Sequence, residues 1–168
     1  MKSVSTYCPW HASVVVITVI ATACLVSFIA AAVTYQLQIG LTVPFLILLA
    51  ILVLAILVPV GMTPLKVKVS DEGVYVRLLF GRVHIPADEV VSVTHYPNGI
   101  STMRLFGSGH FFGDTGLFRS EKCGKYFSLV SDPGNVCVIV RRTKMPVAVS
   151  VADVNVFGQV CPVKEAED

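Results

Sequence analysis

The side chains of this sequence that could take part in catalysis are few and far apart. His110 and Cys123 have the residue types of a nucleophilic pair, in which an imidazole withdraws the proton of a thiol. Asp88 and Glu89 are adjacent, and neighbouring side chains on an extended chain diverge, so we expect helix caps rather than an acid–base couple. The sequence predicts no catalytic residues and a protein that is not an enzyme, with the His110–Cys123 pair as the open alternative.

The five cysteines follow no metal or disulfide pattern. Cys24 lies in an apolar stretch, and the other four are scattered without a CxxC pair. Cys8 and His11 could supply two metal ligands, but a structural zinc site needs four. An odd, dispersed set of cysteines is typical of a reducing compartment. We therefore predict no metal, no cofactor and a cytoplasmic location for the polar part of the chain.

The most unusual polar segment is the glycine-rich run 107–116, of sequence GSGHFFGDTG. A phosphate-binding loop would lead from a strand into a helix, whereas the residues that follow this run have the pattern of a strand. We expect a long connection in which several residues need positive φ. Phe111 and Phe112 cannot both face one side of an extended chain, so one of them is expected to be exposed to a partner or the bilayer.

A basic cluster near the C-terminus is the second candidate for binding. Arg141, Arg142 and Lys144 fall at a predicted hairpin end, where they could attract anionic headgroups. Together with the glycine-rich run they form the predicted interaction surface, whose residues are Gly107, Gly109, His110, Phe111, Phe112, Gly113, Arg141, Arg142 and Lys144.

Charge is distributed very unevenly along the 168 residues. The chain is 54% hydrophobic and 14% charged, and no Asp, Glu, Lys or Arg occurs between Lys2 and Lys66. A uniformly soluble globule could not hide so long an uncharged stretch. The formal net charge of +2 also excludes a strongly basic nucleic-acid-binding protein, so we predict no nucleic-acid partner.

Two stretches within the uncharged part are predicted to be transmembrane helices, at residues 12–34 and 41–62. At about 1.5 Å per residue each spans roughly 30 Å, the thickness of the hydrocarbon core. The short link 35–40 carries no charge, whereas Lys2, in the flank 1–11, and Lys66 and Lys68 lie beyond the other helix ends. The positive-inside bias therefore predicts a multi-pass protein of the cytoplasmic (inner) membrane, with both termini and the polar domain cytoplasmic.

Two processing alternatives compete with this topology. Cleavage near Ala30 to Ala32 would make the first stretch a signal peptide, but it is longer than a usual signal-peptide core. Residues 21–24, of sequence ATAC, resemble a lipoprotein cleavage site that lacks its large aliphatic residue. We favour two retained spans because the apolar sequence continues after both positions.

Residues 65–161 have the pattern of a mainly-β domain, followed by a tail at 162–168. Short alternating runs are separated by turn sequences, with no helices between them. This indicates an antiparallel barrel or sandwich of about seven strands. Ser150 and Asp153 resemble a helix start, and the apolar stripe Val151, Val154, Phe157 and Val160 then predicts one C-terminal α-helix that caps the barrel.

Several stretches of this domain resemble bacterial pleckstrin-homology (PH)-like domains that follow membrane helices. They are residues 69–74 (VSDEGV), 85–90 (IPADEV), 104–107 (RLFG), 113–118 (GDTGLF) and 150–153 (SVAD) leading to Phe157. The resemblance implies a PH-like barrel, a fold that serves lipid, peptide and protein binding alike. Phosphoinositide-binding PH domains generally carry basic residues at the first hairpin loop, which here is the acidic 70–73, SDEG.

The expected function follows from the membrane anchor and the missing catalytic pattern. We predict a non-enzymatic integral membrane protein whose partners are the bilayer and either another protein or a second copy of the chain. A short tether raises the effective concentration of the domain for membrane partners. The alternative is a binding module for a lipid headgroup or small ligand, other than a phosphoinositide.

Overall fold

Two long apolar helices begin the chain in the computed structural model, which describes residues 3–40 and 42–165. Helix α1 (Ala12–Ile39) and helix α2 (Val43–Gly61) are long and apolar enough to cross a membrane. Two hydroxyls of α1 bond to their own helix, Ser27 to the carbonyl of Ala23 at 2.9 Å and Thr34 to that of Ala30 at 2.8 Å. Such internal bonding lets a hydroxyl face lipid. Lys2 and the end of the tail, residues 166–168, lie outside the described residues.

The two helices differ in length, and the difference lies at the domain end. Helix α1 has 28 residues and α2 has 19, which correspond to about 42 Å and about 28 Å. The link between them is short, so the end of α1 and the start of α2 lie side by side, away from the β domain. The first two turns of α1 therefore extend beyond the end of α2, and there Val14 and Thr18 are buried against the β domain.

A strand ahead of the first helix belongs to the β domain. Strand β1 (Ser3–Tyr7) pairs antiparallel with β2 (Pro64–Ser70), with Ser3 opposite Ser70 and Tyr7 opposite Lys66. No strand was predicted from the sequence for the flank 1–11. Because β1 precedes α1 and β2 follows α2, their pairing puts the start of α1 and the end of α2 on the same side, as a helical hairpin requires.

The strands form two sheets. The smaller sheet has the order β1-β2-β3-β4, with β3 at Gly73–Leu78 and β4 at Arg82–Pro86. A single 3-10 turn, Ala87–Glu89, then leads into the larger sheet. Its strands are β5 (Val90–Tyr96), β6 (Met103–Ser108), β7 (Asp114–Ser120), β8 (Gly124–Val130), β9 (Val136–Arg141), β10 (Val147–Ser150) and β11 (Val163–Glu165), in the order β11-β5-β9-β10-β8-β7-β6.

The prediction of two helices followed by a mainly-β domain is confirmed, but two of its details are wrong. The described residues after α2 form ten strands rather than about seven. The larger sheet is also mixed, because β10 lies parallel to β8 and β11 parallel to β5. Strand β10 lies between β8 and β9, which run in opposite directions. It is antiparallel to β9 and is therefore parallel to β8.

The core lies between the two sheets. Alternate residues of the smaller sheet, such as Val67, Val76 and Ile85, are fully buried against Leu129 and Ile139 of the larger sheet. A second apolar cluster covers the opposite face of the larger sheet, around Tyr96, Phe118, Tyr126 and Val138. Residues that alternate along β9 supply both clusters, which is the two-residue period of a strand buried on both faces.

The C-terminal α-helix predicted from Ser150 onward is wrong. The structure has a 3-10 helix, Val154–Gln159, that is capped by Asp153, whose side chain accepts a hydrogen bond from the backbone N–H of Asn155 at 3.0 Å. Ser150 instead ends strand β10 and is buried. The stripe Val151, Val154, Phe157, Val160 recurs every third residue, which matches the three residues per turn of a 3-10 helix. Phe157 is fully buried and closes the core.

Candidate interaction surfaces at the helix–domain junction

The glycine-rich run spans the β6–β7 hairpin: residues 109–113 form the connection, and the rest of the run belongs to the two strands, so the connection is shorter than expected. The run's predicted need for positive φ is confirmed, with φ of 64° at His110 and 58° at Phe112 in addition to positive values at Gly107, Gly113 and Gly116. The Ser108 hydroxyl donates to the carbonyl of Phe111 at 2.7 Å, and the His110 N–H donates to the Asp114 carboxylate at 2.8 Å. These bonds hold residues 109–113, the junction loop, in one defined shape.

The junction loop contacts the first helix. The backbone N–H of Phe112 donates to the Thr18 hydroxyl at 3.0 Å, and the Phe112 ring meets the Trp10 ring edge-to-face at a centroid distance of 6.1 Å. Phe111 packs edge-to-face on Phe112 at 4.8 Å. Both phenylalanines are half-buried, and Phe111 also lines an open apolar groove beside α2. Together they fix α1 on the domain.

A chain of buried hydroxyls fixes the segment before α1. The Ser131 hydroxyl donates to the carbonyl of Pro9 at 2.7 Å, and the Ser150 hydroxyl accepts from the backbone N–H groups of Ser131 at 2.9 Å and Asp132 at 3.2 Å. The two hydroxyls lie 2.9 Å apart. Because the Ser131 hydroxyl donates its only proton to the Pro9 carbonyl, the Ser150 hydroxyl must be the donor in the contact between the two hydroxyls. The backbone N–H of His11 adds a bond to the Ser131 carbonyl at 3.2 Å.

The end of α2 is fixed as firmly. Two backbone hydrogen bonds join it to the turn between β3 and β4. The Phe80 N–H donates to the Gly61 carbonyl at 2.9 Å, and the Leu79 N–H donates to the Thr63 carbonyl at 3.0 Å. The side chains of Leu79 and Phe80 are exposed beside the helix end. No flexible linker therefore separates either helix from the domain within the described residues.

The basic cluster lies away from the junction loop. The Arg141 guanidinium donates to the Met145 carbonyl at 2.6 Å, and the Lys144 ammonium pairs with Glu89 at 3.1 Å. Strand β9 starts beside Ser150, at the junction end of the sheet, and ends at Arg141, about 17 Å further along at 3.3 Å per residue. The structure brings residues 107–113 together but does not bring them to Arg141, Arg142 and Lys144.

His110 and Cys123 lie at opposite ends of strand β7. His110 is beside Asp114, at 3.4 Å, and Cys123 follows Ser120, so the seven-residue strand holds them about 20 Å apart. The Cys123 thiol lies 3.2 Å from the Tyr96 hydroxyl, and burial together with this contact raises the pKa of Tyr96 to about 12. The two residues cannot act on one substrate in this arrangement. Among residues 3–40 and 42–165, no group of three or more His, Cys, Asp or Glu side chains is placed to hold a metal ion.

Two exposed features were missed by the sequence reasoning. Strand β6, an edge of the larger sheet, exposes the side chains of Met103, Leu105 and Phe106, and Phe106 lines an apolar groove of about 750 Å³ between the β6–β7 hairpin and helix α2. The outer face of the smaller sheet carries basic residues around a concavity of about 970 Å³. The alternation of residues was visible in the sequence, but which residues meet depends on strand register.

Two apolar helices, each long enough to cross a membrane, precede a mainly-β domain, and this arrangement is consistent with the PH-like class. The family model described as "Bacterial PH domain" matches residues 65–162, more than half of the chain. The chain therefore belongs to the bacterial PH domain family. Searches of the curated proteins and of the solved structures found no match. PH-like domains are generally non-enzymatic.

Proposed function

We propose that this chain is a non-enzymatic integral membrane protein that presents its PH-like domain for protein–protein interaction or self-assembly at the membrane. The observation that carries the proposal is the fixed junction. Pro9 is bonded to Ser131, Thr18 to Phe112 and Gly61 to Phe80, so both helices hold the domain in one pose. A domain held in one pose loses less orientational freedom when it binds a membrane partner, which favours association.

The proposal places both termini and the domain on the cytoplasmic side. Basic residues follow the end of α2 closely, at Lys66 and Lys68, while the link between the helices carries none. Cytoplasmic flanks of membrane spans are enriched in lysine and arginine. Accessibility of Lys68 to a membrane-impermeant amine reagent in sealed inverted vesicles, but not in intact cells, is the expected result.

The docking surface that we favour is the free edge at β6. An edge strand offers unpaired backbone N–H and C=O groups, and an apolar edge is a template for pairing with another chain. Met103 and Phe106 are 60% and 80% exposed, which is unusual for large apolar side chains of a soluble surface. A second copy of the chain, pairing edge to edge, would cover this strand on both copies.

Site-specific photocross-linking in intact membranes tests this surface. The full-length chain would carry p-benzoylphenylalanine in place of Phe106, or, as the control, in place of Met145, an exposed apolar residue beside the basic cluster. We expect an adduct of twice the chain mass, or a single heavier protein adduct, at position 106 and none at position 145.

The added change Leu105→Asp should abolish that adduct, because a buried carboxylate opposes edge pairing. Adducts with lipid alone at position 106, or equal protein adducts at positions 106 and 145, would contradict the docking surface and the proposed function with it.

The alternative function, binding of a lipid headgroup or small ligand, was expected at the glycine-rich run together with Arg141, Arg142 and Lys144. These two groups lie at opposite ends of the larger sheet, as described above. One small ligand cannot reach both. The smaller sheet offers a different basis for headgroup binding.

A further inference from the structure

A row of like charges crosses the outer face of the smaller sheet. Strand register places Tyr7 opposite Lys66, Lys66 opposite Arg77, and Arg77 opposite Arg82. Side chains that are opposite each other in an antiparallel pair have Cβ atoms about 5 Å apart and point to the same face. Lys66, Arg77 and Arg82, which we name the cation row, therefore present three adjacent positive charges, all exposed.

Basic residues outnumber acidic ones around the cation row. The concavity that it borders is lined by Ser3, Ser5, Lys66, Lys68, Ser70, Glu72, Tyr75, Arg77, Gly81 and Arg82. Among these described residues the one acid is Glu72, whose carboxylate accepts a hydrogen bond from the Tyr75 hydroxyl at 3.0 Å. Arg82 acts electrostatically on the same hydroxyl, so Glu72 offsets part of the charge of Lys66, Lys68, Arg77 and Arg82. Like charges placed directly opposite one another destabilise a sheet, so this arrangement favours a bound anion.

The cation row lies at the end of the sheet that adjoins both helices. Lys66 follows the last residue of α2, Gly61, by five positions, and Tyr7 precedes the first residue of α1, Ala12, by the same number. The β3–β4 turn between Arg77 and Arg82 is bonded to the end of α2 and exposes Leu79 and Phe80. Aromatic and apolar side chains at the end of a membrane helix are placed to enter the interfacial layer.

We infer that the cation row binds the phosphate groups of anionic phospholipids in the same bilayer that holds the helices. Two guanidinium groups can each make paired hydrogen bonds to phosphate oxygens, and the lysine ammonium adds a point charge. The site is on the outside of the sheet and at the opposite end from the acidic turn 70–73. The inference stands on strand register and on the position of the helix ends, and is independent of the edge at β6.

Native mass spectrometry of the full-length chain in uncharged detergent tests the inference. The purified, delipidated chain would be titrated with phosphatidylglycerol, with phosphatidylcholine of the same acyl chains, and with inorganic phosphate. We expect phosphatidylglycerol to bind at least about tenfold more tightly than phosphatidylcholine, because a cation near an anionic headgroup contributes about fivefold in affinity. Inorganic phosphate should bind more weakly than phosphatidylglycerol, since it lacks the acyl chains.

The variant combines the changes Lys66→Gln, Arg77→Gln and Arg82→Gln. Three charges at about fivefold each predict a loss of about a hundredfold in affinity for phosphatidylglycerol and little change for phosphatidylcholine. The variant should melt no lower than the unmodified chain without lipid, because the substitutions remove like-charge repulsion. If the triple variant does not fold, the single change Arg77→Gln should still lose about fivefold.

The matched control removes the same charge from the β7–β8 end of the larger sheet through Arg119→Gln, Lys122→Gln and Lys125→Gln, at exposed residues away from the junction. Its affinity for phosphatidylglycerol should stay within about twofold of the unmodified chain, because these charges lie far from the proposed site. The inference is overturned if both lipids bind equally, if the control loses as much affinity as the variant, or if inorganic phosphate binds as tightly as phosphatidylglycerol.

Discussion

Replacing Ser150 by alanine tests whether buried hydroxyls hold the N-terminal segment on the domain. The Ser150 hydroxyl accepts from the backbone N–H groups of Ser131 and Asp132 and donates to the Ser131 hydroxyl, which in turn donates to the Pro9 carbonyl. Ser131 and Ser150 are both fully buried. Alanine at position 150 would leave two backbone N–H groups without this partner in a site closed to water.

The magnitude follows from the number of groups left unpaired. A buried donor that loses its partner costs about 1 to 3 kcal/mol. With two donors affected and partial relaxation, we expect Ser150→Ala to lower the free energy of unfolding by about 3 kcal/mol. Ser131→Ala leaves the Pro9 carbonyl and the Ser150 hydroxyl without this partner, and should cost about 2 kcal/mol because Pro9 is only partly buried. Because the two hydroxyls form one chain, the double variant should lose less than the sum of the single losses.

Urea unfolding of the full-length chain in detergent micelles, followed by the fluorescence of Trp10, measures these losses. Trp10 is the single tryptophan of the chain and contacts Phe112 at the junction, so its emission reports on this region. The exposed Ser101 provides a control through Ser101→Ala, which should change stability by less than about 0.5 kcal/mol. A loss below about 0.5 kcal/mol for Ser150→Ala, or fully additive losses in the double variant, would refute the hydroxyl chain.

Three further predictions concern titration, core packing and backbone conformation. Burial raises the pKa of the Cys8 and Cys137 thiols from 9.0 to about 12. The unfolded chain therefore releases these protons first, and stability should fall by about 1 kcal/mol per pH unit for each thiol between pH 9 and pH 12. Urea unfolding at several pH values should show a shallower decline for Cys137→Ala, and an unchanged slope would contradict this. Phe157→Ala should cost about 4 kcal/mol in the same unfolding assay, since it empties a fully buried site, and a loss under about 1 kcal/mol would show that the 3-10 helix does not close the core. Gly113→Ala should lower the melting temperature more than Gly124→Ala, because both have positive φ but a Cβ at Gly113 would meet the Val130 carbonyl whereas a Cβ at Gly124 meets open space; equal losses would contradict the close approach.

The two apolar helices could be predicted from the sequence because their cause is local. A long stretch without charge cannot stay in water and cannot fill a small core, so composition alone indicates two apolar helices. The predicted boundaries are less accurate. Helix α1 runs to Ile39 rather than ending at residue 34, since Tyr35, Gln36 and Gln38 are compatible with a helix, and its end is set by Gly40, whose φ is 97°.

The β domain was predicted in kind but not in pairing. Alternation along residues 66–78 indicated a hairpin, and β2 and β3 form it. Strand β1 was missed because its five residues are mostly exposed and acquire their structure from β2, some sixty positions later. The C-terminal stripe was assigned to an α-helix although its spacing of three residues also fits the 3-10 helix that forms.

In the candidate site, too, local features could be predicted from the sequence and long-range contacts could not. The positive φ values of the glycine-rich run were correctly predicted, because glycine content carries that information locally. The length of the connection was overestimated, since residues 107, 108 and 114–116 pair as strands. Its contacts with Trp10 and Thr18 could not be predicted, since they join segments about a hundred positions apart. The predicted interaction surface combined residues 107–113 with residues 141–144 because of their residue types. In the fold, most of the length of strand β9 separates these two groups.

Two apolar helices followed by a β domain can be inferred from the amino-acid order alone, because charge and hydrophobic period act on each segment separately. Tertiary structure alone decided that the segment before α1 joins the smaller sheet and that the buried hydroxyls of Ser131 and Ser150 meet. It also decided that Lys66, Arg77 and Arg82 stand side by side. The physical reason is strand register: a shift of one residue turns every side chain to the other face, and register is set by the packing of the whole domain.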